Sequence, residues 1–170
     1  MQINRVQGRF INFNNKNQNN IQFRGTVSNR SEKYFYDMIR YDYRPEQQQQ
    51  WLELLNELKS KAKLMHENTE IDISGDENKQ IIATNNNVHI TCDAAPENKY
   101  PIEIGDIEAL KKAIDSINPK KTDMQILKFA KHKLNSLIRM NNLFMNRPNI
   151  FAVEDLTNSI STYEKDLKNS

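Results

Sequence analysis

The chain has 170 residues, a net charge of +2 and an apolar fraction of 37%. That length can bury on the order of 70% of the surface the unfolded chain exposes, enough for one core. The nearly even charge balance gives no global case for nucleic acid, no run reaches the roughly 18 apolar residues of a membrane span, and the single cysteine excludes an intrachain disulfide.

Residues 1–30 are rich in Asn and Gln and carry Arg5, Arg9, Lys16, Arg24 and Arg30 without an acid. This composition reads as a flexible basic tail. Arg9–Phe13 and Ile21–Val27 alternate around an Asn-rich turn, so a β-hairpin is the competing reading. The stretch has no apolar h-region, so it is not a Sec-type signal, and export by a non-Sec route stays open. The NNIQFRG segment, Asn19 to Gly25, resembles a short leader found near the start of many uncharacterised gut-bacterial proteins. That resemblance covers seven residues and implies no activity. The 23 asparagines, beside frequent Ile and Lys, fit an AT-rich coding sequence, so they need no chemical role.

From residue 31 to 170 the pattern is that of one domain. Ser31 reads as an N-cap with Glu32 in the first turn, opening a short helix to about Asp42 on Tyr34, Phe35, Met38 and Ile39; the aromatics would also suit a strand. Pro45 suits a first helical position. Behind it Trp51, Leu55, Leu58, Ala62 and Met65 form one seam to about His66, widened by Leu52 and Leu54. Barely two heptads are present, too few for a coiled coil.

Thr69 to Asp93 switches to a period of two. Ile71 and Ile73, then Gln80 to Thr84, then Val88, Ile90 and Cys92 predict three antiparallel strands, with turns at Gly75–Asn78 and Asn85–Asn87. The opposite face bears Asp72, His89 and Thr91 and should stay open to water or to a partner. Asp106 is placed to cap a helix on Ile107, Leu110, Ala113, Ile114 and Ile117, stopped by Asn118 and Pro119. The predicted fold is α+β: a three-stranded meander over about 69–92, packed by two preceding and three following helices.

The longest predicted helix, 123–145, opens at a capping box of Thr122 and Gln125. Ile126, Leu127, Phe129, Ala130, Leu134, Leu137, Ile138, Met140, Phe144 and Met145 cover about half its circumference, wider than an ordinary surface stripe. A last helix, from about 150 or 153 to 167, follows Val153, Leu156, Ile160, Tyr163 and Leu167.

Catalytic motifs are wanting. The three histidines lie on different elements, and His89 and Cys92, three apart on a strand, point to opposite faces. The acid pairs Asp72 with Asp93 and Glu103 with Asp106 read as solvated ends of elements. No phosphate-cradling loop is present, so no cofactor, metal or catalytic residue is assigned. Function reads as non-enzymatic protein interaction in the cytoplasm, through Met140, Leu143, Phe144 and Met145, whose pliable thioethers and ring suit a partner surface. The alternative is nucleic-acid binding, with Lys120, Lys121, Lys128, Lys131 and Arg139 meeting phosphates.

Overall fold

The computed structural model describes residues 24–74, 78–92, 102–103, 106–144 and 150–169. Helix α1 spans Asn29–Tyr41 and starts two residues before the capping position read from the sequence. Ser28 is the cap: its backbone is extended (φ −62°, ψ 147°) and its Oγ accepts from the Ser31 amide at 3.1 Å. Ser31 is instead fully buried one turn inside. Helix α2, Pro45–Lys63, has Pro45 in its first turn, where a missing amide costs nothing. Trp51, Leu54, Leu55, Leu58 and Ala62 are buried along it and Met65 just past its end, whereas Leu52, off that seam, is exposed. Phe35 of α1 meets Trp51 edge-on at 6.3 Å, and burying a side chain of that size contributes roughly 1.5–3 kcal/mol.

The meander is present as β2 (Glu70–Ser74), β3 (Asn78–Asn85) and β4 (Val88–Thr91), antiparallel throughout. The register sets Ile71 opposite Ala83, Ile73 opposite Ile81 and Ala83 opposite Ile90, so one face is apolar and buried. Asn86 and Asn87 turn the chain at φ 48° and 62°, the left-handed backbone that a two-residue hairpin needs and asparagine tolerates. The turn expected at Gly75–Asn78 lies largely outside the described residues.

Two further strands flank the meander. Thr26–Val27, β1, pairs in parallel with Glu70 and Ile71, and Ile102–Glu103, β5, pairs with Asn78 and Lys79. Of the basic tail expected over 1–30, residues 24–30 belong to the fold; the rest of that reading, and most of the hairpin one, falls on residues outside the described ones. β1, two residues long, has no periodicity to read. Backbone bonds hold it: Thr26 N donates to Thr69 O at 2.9 Å and Ser28 N to Ile71 O at 2.8 Å. Gly25 is required by close approach, since a Cβ there would lie 2.6 Å from the Ala62 carbonyl oxygen and 2.8 Å from that of Thr69.

Helix α3, Ile107–Ser116, is capped by Asp106, whose Oδ1 accepts from Ala109 N at 2.9 Å. Helix α4 runs Pro119–Phe144 and α5 runs Ile150–Asn169. The start of α4 corrects the sequence reading. Asn118 caps it, its Oδ1 accepting from Lys121 N at 3.0 Å, and Pro119, read above as a stop for α3, is the first residue of the next helix. Thr122 is buried inside the helix and caps nothing.

The apolar half of α4 is also narrower in practice. Ile126 and Ala130 are buried, Leu127, Leu134 and Leu137 are half-buried, and Phe129, Ile138 and Met140 are exposed. Direction and length both narrow it: Phe129 lies between the buried Ile126 and Ala130 along the axis but points off the packed side. Twenty-six residues make a rod of about 39 Å, while the four-residue β4 beside it spans roughly 13 Å. Packing against α5, β3 and β4 therefore covers one side of α4 and leaves its flanks uncovered.

Candidate functional site

The outer face of α4 carries the residues singled out above. With Asn118 setting the helical phase, Lys120, Lys121, Lys128, Lys131 and Arg139 fall within an arc of about 100°, Met124 and Asn135 among them. The row from Lys120 to Arg139 is about 29 Å long. All five cations are exposed, and among the described residues only Lys131 has an acidic partner, Glu164 of α5.

The electrostatics of this helix are lopsided. It bears six cations (the five above and Lys133) against Asp123, a net of +5 in a protein of net +2. Its first turn contains no acid, so Lys120 and Lys121 sit at the positive end of the helix dipole, where a cation is disfavoured by a few tenths of a kcal/mol. Large apolar groups share the exposed surface: Met124 at 59%, Phe129 at 55% and Met140 at 56% exposure. Of the four residues proposed for partner contact, Met140 is thus solvent-facing; the side chains of Leu143 and Phe144, and Met145 as a whole, lie outside the described residues.

Behind that face is a polar junction the sequence reading missed. Asp123 is 1% exposed. Its Oδ1 accepts from the Tyr163 hydroxyl at 2.7 Å and its Oδ2 from the His66 amide at 3.1 Å. The Thr69 hydroxyl reaches Oδ1 at 3.4 Å and itself accepts from Asn85 Nδ2 at 3.2 Å. His66 Nδ1 accepts from Asn68 N at 3.2 Å, which leaves Nε2 to donate to Asp166 at 3.1 Å. The imidazole stands edge-on to the Tyr163 ring at 4.3 Å.

Burial pushes the Asp123 carboxyl above its ordinary value, an effect only partly offset by the Tyr163 hydroxyl and the His66 amide. Burial, followed by the neighbouring Asp123 charge, pushes the Tyr163 phenol far up, so it remains a donor. These groups are enclosed and occupied with one another. Their chemistry is that of a joint, tying the α2–β2 connection to α4 and α5. A signal did exist: Asp123 is in phase with Ile126, Ala130 and Leu134, and an acid within an apolar stripe must find buried donors.

The other singled-out residues do not converge. His89 is exposed, its Nδ1 3.0 Å from Thr84 Oγ1, while Cys92 is buried on the opposite face. Asp72, far from a solvated strand end, accepts from Ser31 Oγ at 2.8 Å and from Ser28 Oγ and Arg30. Burial would raise its carboxyl, but the bonds from Ser28, Ser31 and Arg30 outweigh that and hold it below the usual value. Asp93 and the Glu103 side chain lie outside the described residues. Among the described residues no group of three or more His, Cys, Asp or Glu is placed to hold a metal ion, and no helix is long and apolar enough to cross a membrane.

No protein-family model, curated protein or solved structure matches the chain.

Proposed function

We propose that this chain is a protein-interaction module working in a reducing, cytoplasmic setting, and that the outer face of α4 is its contact surface. One observation carries the reading: Met124 stands in solvent among a row of cations, and Phe129 and Met140 stand in solvent about 80–100° further round the same helix, whose remaining side is anchored in the core. Exposed apolar side chains gain nothing for a lone folded chain, whereas thioethers and rings suit a partner surface.

The test compares affinity capture by the full chain with capture by the double variant Phe129→Asp, Met140→Asp. Both positions are exposed, so the variant should keep its stability within about 0.5 kcal/mol and lose its captured proteins. Capture that survives the double substitution would refute the reading. So would a core-sized loss of stability.

The second reading is nucleic-acid binding, favoured by the exposed band of Lys120, Lys121, Lys128, Lys131 and Arg139. Ile126 and Ala130 tie α4 to the core, so it cannot enter a groove as a recognition helix and would have to lie along phosphates. Binding to a short duplex or single strand would then weaken steeply with salt. Binding without salt dependence removes this reading.

A further inference from the structure

Resting on the interaction reading above, we infer that the occupant of the α4 face is an acidic, amphipathic helical segment of another protein. Charge selects the acid. α4 concentrates a net of +5 while the whole chain carries +2, and Lys120, Lys121, Lys128 and Arg139 line up exposed on it. Lys120 and Lys121 also crowd the positive end of the helix, where an incoming carboxylate is favoured and a further cation is not. A second copy of this chain would bring like charge against like charge and is disfavoured for that reason.

The apolar groups then choose between anionic partners. Met124 and Phe129 lie among or beside these cations at more than half exposure. A phosphate backbone leaves such side chains uncovered, whereas an amphipathic segment meets them with its own apolar stripe. Shape argues for a helix. The face offers no open strand edge, because the backbone of α4 is bonded within the helix, so strand addition has nothing to pair with. Its length of about 29 Å matches a partner of about 19 residues in helical form. Lys121, Lys128 and Arg139 fall within about 20° of one another around the helix, in steps of about 10 and 16 Å, or about two and three turns, so carboxylates one above another on a partner helix would reach all three.

The test uses the full chain and two labelled helical peptides of about 20 residues, one alternating Leu faces with Glu and its counterpart carrying Lys in place of Glu. Anisotropy titrations are run at about 50 and 200 mM salt, with a short DNA duplex and phosphatidylglycerol vesicles as further arms. The expected result is a preference of about tenfold or more for the Glu peptide, weakened by salt. It should be abolished by Lys128→Glu with Arg139→Glu, and kept by Lys111→Glu with Lys112→Glu, an equal charge change on the exposed side of α3.

Three outcomes overturn the inference: no preference between the peptides, equal losses in the two charge variants, or the duplex or vesicles binding through Lys128 and Arg139 while the Glu peptide does not. Should the peptides show no preference while Phe129→Asp with Met140→Asp still abolishes capture, the acidic helix is wrong and the interaction reading stands.

Discussion

Replacing Tyr163 by Phe removes one hydroxyl from the buried junction. The ring stays edge-on to His66, and what disappears is the hydroxyl that donates to Asp123 Oδ1 at 2.7 Å. A hydrogen bond to a charged group contributes about 1.5–3 kcal/mol. Asp123 keeps the His66 amide on its other oxygen, which places the expected loss near 2 kcal/mol. For a chain of this size that lowers Tm by about 4–8 °C, and the urea midpoint should fall at constant slope. pH supplies the discriminating measurement. Because burial raises Asp123 in the folded state, the folded chain binds this proton more tightly than the unfolded one. The associated stability is present below the ordinary carboxylate value and is lost as pH rises through the raised one. A neutral carboxyl needs the lost donor less than a carboxylate does, so the cost of Tyr163→Phe should be larger at neutral pH than in mild acid. A cost under about 0.5 kcal/mol at neutral pH, within the range of an ordinary surface change, or one that does not vary with pH, would refute this account of the junction.

Four other substitutions probe the rest of the fold. Gly25→Ala drives a methyl against the carbonyl oxygens of Ala62 and Thr69, so it should cost about 1–3 kcal/mol and speed amide exchange at Thr26 and Ser28; unchanged exchange would mean β1 is not docked as described. Ser31→Ala removes the acceptor of the Ile73 amide and a donor to Asp72, an expected loss of about 1–3 kcal/mol by chemical denaturation. Since Asp72 is held low when folded, its contribution is present above the ordinary carboxylate value and lost as pH falls through the depressed one; acid unfolding of Ser31→Ala should therefore be less steep than that of the parent. Asn86→Val places a β-branched residue at φ 48° and should cost about 1–2 kcal/mol in thermal melts, while Asn87→Gly should change stability far less.

Much of the scaffold was legible because it is periodic. Trp51, Leu55, Leu58 and Ala62, or Leu156, Ile160 and Tyr163, repeat at helical spacing, and Ile71, Ile73, Ile81 and Ala83 alternate; burying one face of each follows from the hydrophobic effect acting on a local pattern. The α+β class and the meander between two helices and three came from those stripes alone. What had no local pattern was invisible. β1 is two residues long, and its parallel register is set by Thr69 and Ile71, more than forty positions away. Asp123 is an ordinary acid in one dimension and becomes a buried acceptor only when His66 and Tyr163 are brought to it. The α4 face shows the same division. Its basic row could be counted from the residues, but whether Phe129 and Met140 are core or surface depends on which sides of a rod of about 39 Å α5 and the short sheet cover. A linear pattern records which side chains prefer to leave water; only the lengths and positions of the packed neighbours decide how many of them succeed.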